Sequence, residues 1–203
     1  MASVLKYILL FLLLPFSRSF TTYCCISIIK KAIVYDKNMP TLYVDNNIKI
    51  NNEFIHKNIY SLEHIVPRSL IDNKLHNDMH NIMRTFNNLN NHRSNYKYVN
   101  DMDYKKWVNL DFSNYVNHKK KLFIPNSNSK GMISRAILYM ANEYKYNVTN
   151  IIDRDVLIDW FYKYPPKKQE IYHNQLVKDY QKKDNIFISQ YNDKKMRSYL
   201  EKI

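Results

Sequence analysis

The order of apolar and polar positions divides the chain into an opening stretch of short strands and a helical second half. "TLYVDNNIKIN", residues 41–51, alternates apolar and polar residues as a half-buried strand does, with Pro40 as a break before it. Residues 59–66, "IYSLEHIV", predict a second strand closed by Pro67. An Asn- and Asp-rich loop runs from there to about Asp78, and "MHNIM", residues 79–83, predicts a brief strand. From Arg84 to Ser94 the three-residue spacing of Phe86 and Leu89 predicts a short helix.

Beyond this the period lengthens. "MISRAILYMANEY", residues 132–144, sets Ile133, Ala136, Ile137, Met140 and Ala141 at steps of three and four, one apolar stripe on a helix. "DRDVLIDWFYKY", residues 153–164, predicts a helix with Asp153 as N-cap and Pro165-Pro166 as a stop. "KKQEIYHNQLVKDYQK", residues 167–182, predicts a third. No internal repeat or long low-complexity linker interrupts the pattern. At 203 residues, the expectation is one α+β domain with a sizeable core.

The N-terminus changes where that domain begins. In "MASVLKYILLFLLLPFSRSF", Lys6 precedes an apolar run from Tyr7 to Phe16, and Ser17-Arg18-Ser19 offers a small-x-small cleavage site. This is the pattern of a signal peptide over residues 1–19, too short for an ordinary membrane span. Residues 20–58 are then an N-terminal segment, partly strand, ahead of the main unit at 59–203. The expected destination is secreted, periplasmic or luminal, with organelle targeting left open and no stable membrane partner after cleavage.

Charge narrows the partner. Lys and Arg number 31 against 18 Asp and Glu, a net +13 spread along the chain, and cleavage of the leader removes only the cations Lys6 and Arg18. A polyanion such as nucleic acid is the natural partner, with an acidic membrane surface as the competing one. The two cysteines, Cys24 and Cys25, are adjacent and close no stabilising loop, which excludes a disulfide or zinc framework. Gly131 is the only glycine in a chain rich in Asn, Lys, Tyr and Ile, which marks a place where a side chain does not fit.

The chemistry concentrates in "SLEHIVPRSLIDNKLHNDMHNIMRTFNNLNNHRSNYKY", residues 61–98. A phosphodiester is hydrolysed by an activated water and something that takes the charge developing on the phosphate and the leaving oxygen. A neutral His deprotonates water near pH 7, and one hard divalent cation needs only one or two protein oxygens. Glu63 with one Asn carbonyl would suffice. Strand alternation turns Glu63 and His64 to opposite sides, so a twist near Pro67 must bring both to one phosphate.

Three blocks in order resemble the bacterial endonuclease I family, secreted or periplasmic nonspecific nucleases of the ββα-metal (His-Me finger) superfamily. They are Glu63-His64-x-x-Pro67, Asp78-x-His80-Asn81-Ile82 and Asn90-x-x-Arg93-x-Asn95-Tyr96. "SKGMISRAILYMANEY" is similar to a later family segment, with Gly131, Arg135, Tyr139 and Met140 in place, so the likeness spans about residues 60–188. Arg84 stands where the family usually has Pro, and "QKKDNIF" is a loose form of a Gly-rich element.

The resemblance implies an α+β fold with a ββα-metal core and additional helices, over a catalytic region at 59–203. His64 would be the general base, and Glu63 and Asn90 would hold one Mg²⁺, with Mn²⁺ or Ca²⁺ as substitutes. Asn81 would fasten the loop that orients the His64 ring. Arg93 and Arg135 are candidates for phosphate contact, with a salt bridge inside the fold as the alternative. The expected activity is metal-dependent, sequence-nonspecific cleavage of DNA, with RNA open, to 5′-phosphate ends by a monomer. The alternative is a noncatalytic nucleic-acid-binding protein of the same fold. His92 reads as a bystander, and Trp107 and Trp160 as core.

Overall fold

The computed structural model describes residues 33, 34, 36, 38–44, 59–102, 106–193, 196 and 200. The expected leader, residues 1–19, and the Cys24-Cys25 pair lie outside the described residues.

Strands β1 (Tyr60–His64) and β2 (Ile82–Phe86) pair antiparallel, with Tyr60 opposite Phe86 and His64 opposite Ile82. Helix α1 (Asn87–Arg93) follows β2 without a linker. The chain therefore passes strand, long loop, strand and helix, and the first and last of these carry the candidate chemistry. The loop between β1 and β2 is three 3-10 turns, Arg68–Leu70, Asn73–Leu75 and Met79–Asn81.

Two boundaries differ from the sequence expectation. Residues 79–81 form a turn and not the start of a strand, because the Asp78 carboxylate accepts from His80 N at 2.9 Å and closes the backbone on itself. Arg84 lies in β2 and not in the helix, because its pairing with Leu62 extends the ladder to Phe86. Of the expected strand at 41–51, the described part is a single bridge from Thr41 to Arg84 followed by a turn, with Tyr43 at φ 64°.

A second sheet, absent from the sequence expectation, contains β3 (Lys97–Tyr98), β4 (Val108–Leu110), β5 (Asn114–Asn117) and β6 (Leu122–Ile124), in the order β3-β6-β5-β4. The helical half is α2 (Ser127–Tyr144), α3 (Arg154–Lys163), α4 (Lys168–Gln181) and α5 (Ile186–Ser189). Helix α2 begins where Asn126 Oδ1 accepts from Ser129 N at 3.1 Å and ends at Lys145 in the left-handed region. It is buried without a break from Ser129 to Met140, so it is the axis of the core and not a surface helix with one apolar stripe. Asp153 precedes α3 but does not cap it; its carboxylate accepts from Lys97 Nζ at 2.6 Å instead.

Gly131 explains its own retention. A Cβ there would stand 2.2 Å from Tyr164 O at the end of α3. Its φ is ordinary, so the constraint is room and not backbone conformation. The main core joins Leu42, Ile65, Val66, Leu89, Tyr98, Phe123, Ile137, Trp160 and Phe161 across both halves. The molecule is α+β. No helix among the described residues is long and apolar enough to cross a membrane.

Candidate active site

The end of β1 is held from three directions. From the turn before β2, Asn81 Oδ1 accepts from Val66 N at 2.7 Å, Asn81 Nδ2 donates to Val66 O at 3.0 Å, and Asn81 O accepts from Ile65 N at 3.0 Å. From the last turn of α1, Arg93 donates through Nη2 to Ile65 O at 2.6 Å and through Nη1 to His64 O at 3.3 Å. The peptide groups that follow His64 therefore all have fixed partners, which sets the direction in which its side chain leaves the strand.

The third support acts on the ring. His64 Nε2 lies 3.0 Å from His76 O. A carbonyl only accepts, so Nε2 carries the proton and Nδ1 is left with its lone pair. Burial pushes the His64 pKa below its ordinary value; the His76 hydrogen bond raises it and the nearby Arg68, His76 and Arg93 lower it, with burial dominating. The ring is thus a neutral base at pH 7. His76 is itself tied into the loop, its Nε2 lying 3.0 Å from Arg68 O and its Nδ1 accepting from Arg68 Nε at 3.3 Å.

Glu63, on the opposite side of the strand, is 1% exposed. Tyr43 Oη donates to its Oε1 at 2.8 Å and shares a 2.6 Å hydrogen bond with Tyr98 Oη, while Arg93 Nε stands 3.4 Å from the same Oε1. Burial pushes the Glu63 carboxyl upward, against the pull of Arg93 and the tyrosine hydroxyls. On α1, three residues before Arg93, Asn90 donates through Nδ2 to Ser61 Oγ at 2.9 Å and to Leu62 O at 3.3 Å. One strand end thus gathers Glu63, His64, Asn81, Asn90 and Arg93.

Arg135 belongs elsewhere. Its guanidinium donates to both Glu170 oxygens, at 2.7 and 2.6 Å, and to Tyr164 O at 2.6 Å, so it clamps α2 to α3 and α4. Arg93 and Arg135 are each 1% exposed. For both, the contacts seen are those of the alternative reading, an ion pair inside the fold: Arg93 Nη1 and Nη2 and the Arg135 guanidinium are directed to carbonyls and a carboxylate of the protein, as a buried guanidinium requires. Asp78 and Tyr139, known from the sequence only as positions in separate blocks, are bonded, with Tyr139 Oη donating to Asp78 Oδ2 at 2.9 Å. Asp78 also accepts from Tyr144 Oη and from Gln181 Nε2. Neither residue type nor spacing pointed to Tyr43 and Tyr98 beside Glu63, or to the His76 carbonyl beside His64.

The donor set bears on a cation. The Tyr43 hydrogen bond and the Arg93 ion pair both fall on Oε1 of Glu63, and the side-chain hydrogen bonds of Asn90 leave through Nδ2. One carboxylate oxygen and one amide oxygen suit a hard divalent ion that keeps most of its waters. Among the described residues no cluster of three or more His, Cys, Asp or Glu could cage an ion.

An α+β protein in which a strand, a pinned loop, a second strand and a helix place a neutral imidazole base, a carboxylate and an amide around the end of one strand has the layout of a nuclease. The Endonuclease I family model matches residues 17–192, and the chain belongs to that family. It is an endonuclease, its substrate is nucleic acid, and its family is generally metal-dependent.

Proposed function

We propose that this endonuclease hydrolyses DNA phosphodiesters without sequence preference, with RNA as a second substrate, leaving 5′-phosphate and 3′-hydroxyl ends, with His64 as general base. The observation that supports this reading most directly is the His64 Nε2 bond to His76 O, which leaves Nδ1 as the basic nitrogen. In the reaction a water gives its proton to Nδ1 as its oxygen bonds to phosphorus. The bond from phosphorus to the 3′ oxygen breaks, and that oxygen is protonated by solvent.

Asn81 and Arg93 act as positioning residues, since their side chains are spent on the backbone at and after His64. Glu63 Oε2 and Asn90 Oδ1 would hold one Mg²⁺, with Mn²⁺ or Ca²⁺ as substitutes. When bound, that ion supplies electrostatic stabilisation of the phosphate and the leaving oxygen. Tyr43 and Arg93 fix the Glu63 carboxylate from the other side. Low sequence preference fits a protein of net charge +13, whose grip is on phosphates and not on base edges. The leader pattern supports secretion or delivery to a periplasmic or luminal compartment.

Incubation of supercoiled plasmid with the chain and Mg²⁺, with and without chelator, tests the proposal. Nicking that stops with chelator is the expected result. A folded chain that binds the plasmid and leaves it intact with Mg²⁺, Mn²⁺ and Ca²⁺ is instead a noncatalytic binder.

A further inference from the structure

Two histidines outside the catalytic cluster face each other across the surface. His92 is on α1, and His118 is in the turn between β5 and β6. His92 Nδ1 and His118 Nε2 stand 3.4 Å apart, with ring centroids 5.4 Å apart and ring planes inclined at 44°. On the far side of the second ring, Tyr96 Oη lies 3.2 Å from His118 Nδ1.

Two imidazole nitrogens bonded at about 2.0–2.1 Å to one tetrahedral ion stand about 3.3–3.4 Å apart. The 3.4 Å separation matches that span. The Tyr96 hydroxyl adds what a metal-ligating histidine ordinarily has, a partner for its other nitrogen. Accepting from Nδ1–H of His118, it sets the tautomer in which Nε2 keeps its lone pair toward His92.

We propose that His92 and His118 form a two-imidazole site for a divalent transition-metal ion of the zinc and copper class. His92 binds through Nδ1, its ring proton moving through solvent to Nε2, so neutral rings release no net proton. Waters complete the coordination. Imidazole suits zinc, copper and nickel and does not suit magnesium, so this site and the proposed hard-cation site at Glu63 and Asn90 sort ions by chemistry. The exposed turn Lys119, Lys120 and Lys121 beside His118 opposes any cation and limits the affinity. Occupancy ties α1, which carries Asn90 and Arg93, to the second sheet. The site stands independently of the nuclease reading.

The test is calorimetric titration of the chelator-stripped full chain with Zn²⁺ in excess Mg²⁺, with Cu²⁺ electron paramagnetic resonance as a second readout. Wild type takes up one Zn²⁺; His118→Ala and His92→Ala each abolish the uptake; and Tyr96→Phe weakens it by about tenfold. Cu²⁺ binds more tightly than Zn²⁺ and shows coupling to two imidazole nitrogens. His118→Gln, which keeps a polar side chain in the turn, behaves as His118→Ala. The proposal is overturned if wild type takes up no Zn²⁺, if His118→Ala takes it up as wild type does, or if uptake is lost in His64→Ala and kept in His118→Ala, which would place the ion beside the base.

Discussion

At the scale of single residues, the site is built less by groups aimed at substrate than by groups aimed at the backbone around His64. Asn81 is fully buried and uses both ends of its amide on Val66. Asn81→Ala leaves a buried N–H and C=O without partners, and we expect a loss of about 2–3 kcal/mol in urea denaturation. Cleavage should fall further than that stability loss accounts for, because the histidine is no longer aimed. The same logic separates the two buried arginines from substrate. Arg135→Gln breaks a bidentate pair with Glu170 and should cost about 3–5 kcal/mol. The slope of log K for DNA against log salt should not change in the folded fraction, whereas loss of a phosphate contact would lower it by about one unit. Whether a guanidinium faces a phosphate or a carbonyl was not legible in the sequence, since residue type and spacing are the same in both cases.

At the scale of elements, what could be read depended on the strength of local pattern. Helices α2, α3 and α4 have apolar residues at steps of three and four over ten or more positions; α3 and α4 were legible to within a residue at each end, whereas α2 begins at Ser127, ahead of the apolar stripe at 132–144 that marked it. Strands β3 to β6 are two to four residues long, too short for alternation to show. The expected strand start at Met79–Asn81 was lost to the Asp78 side chain, whose local hydrogen bond closes a turn and outweighs an apolar pattern. In the candidate site, Glu63, His64, Asn81 and Asn90 were legible as an ordered set. The grip of His76 was not, because it is exerted by a carbonyl that any residue would supply, and Tyr43 and Tyr98 reach Glu63 from other segments. Gly131 was legible as a crowded position and gives the element-scale test. Gly131→Ala gains helix propensity of about 1 kcal/mol but forces Tyr164 O away from a contact at 2.2 Å, and a net loss of about 1–3 kcal/mol is expected in urea denaturation.

At the scale of the whole molecule, a basic protein with buried histidines has a definite acid limit. Burial, with a smaller contribution from His80, lowers the His173 pKa from 6.5 to about 3. A base with a depressed folded-state pKa is neutral in the fold and protonated in the unfolded chain between those two values. Its contribution to stability is therefore complete above pH 6.5 and is lost as pH falls toward 3. Urea denaturation should show stability falling by up to about 1.4 kcal/mol per pH unit from this residue within that window, and His173→Gln should flatten the slope. The same sign holds for the reaction. Burial lowers the His64 pKa, so the base stays neutral to below pH 6.5, and the acid limb of cleavage should lie there. The central claim is that the neutral His64 ring, held through Nε2, takes the proton from water. The most direct measurement compares His64→Ala with the unsubstituted chain on supercoiled plasmid in Mg²⁺, with circular dichroism showing both folded and filter binding showing both on DNA. Cleavage reduced by at least about a hundredfold with binding kept is the expected result. Cleavage that persists in a folded His64→Ala chain contradicts the account and moves the base to another residue.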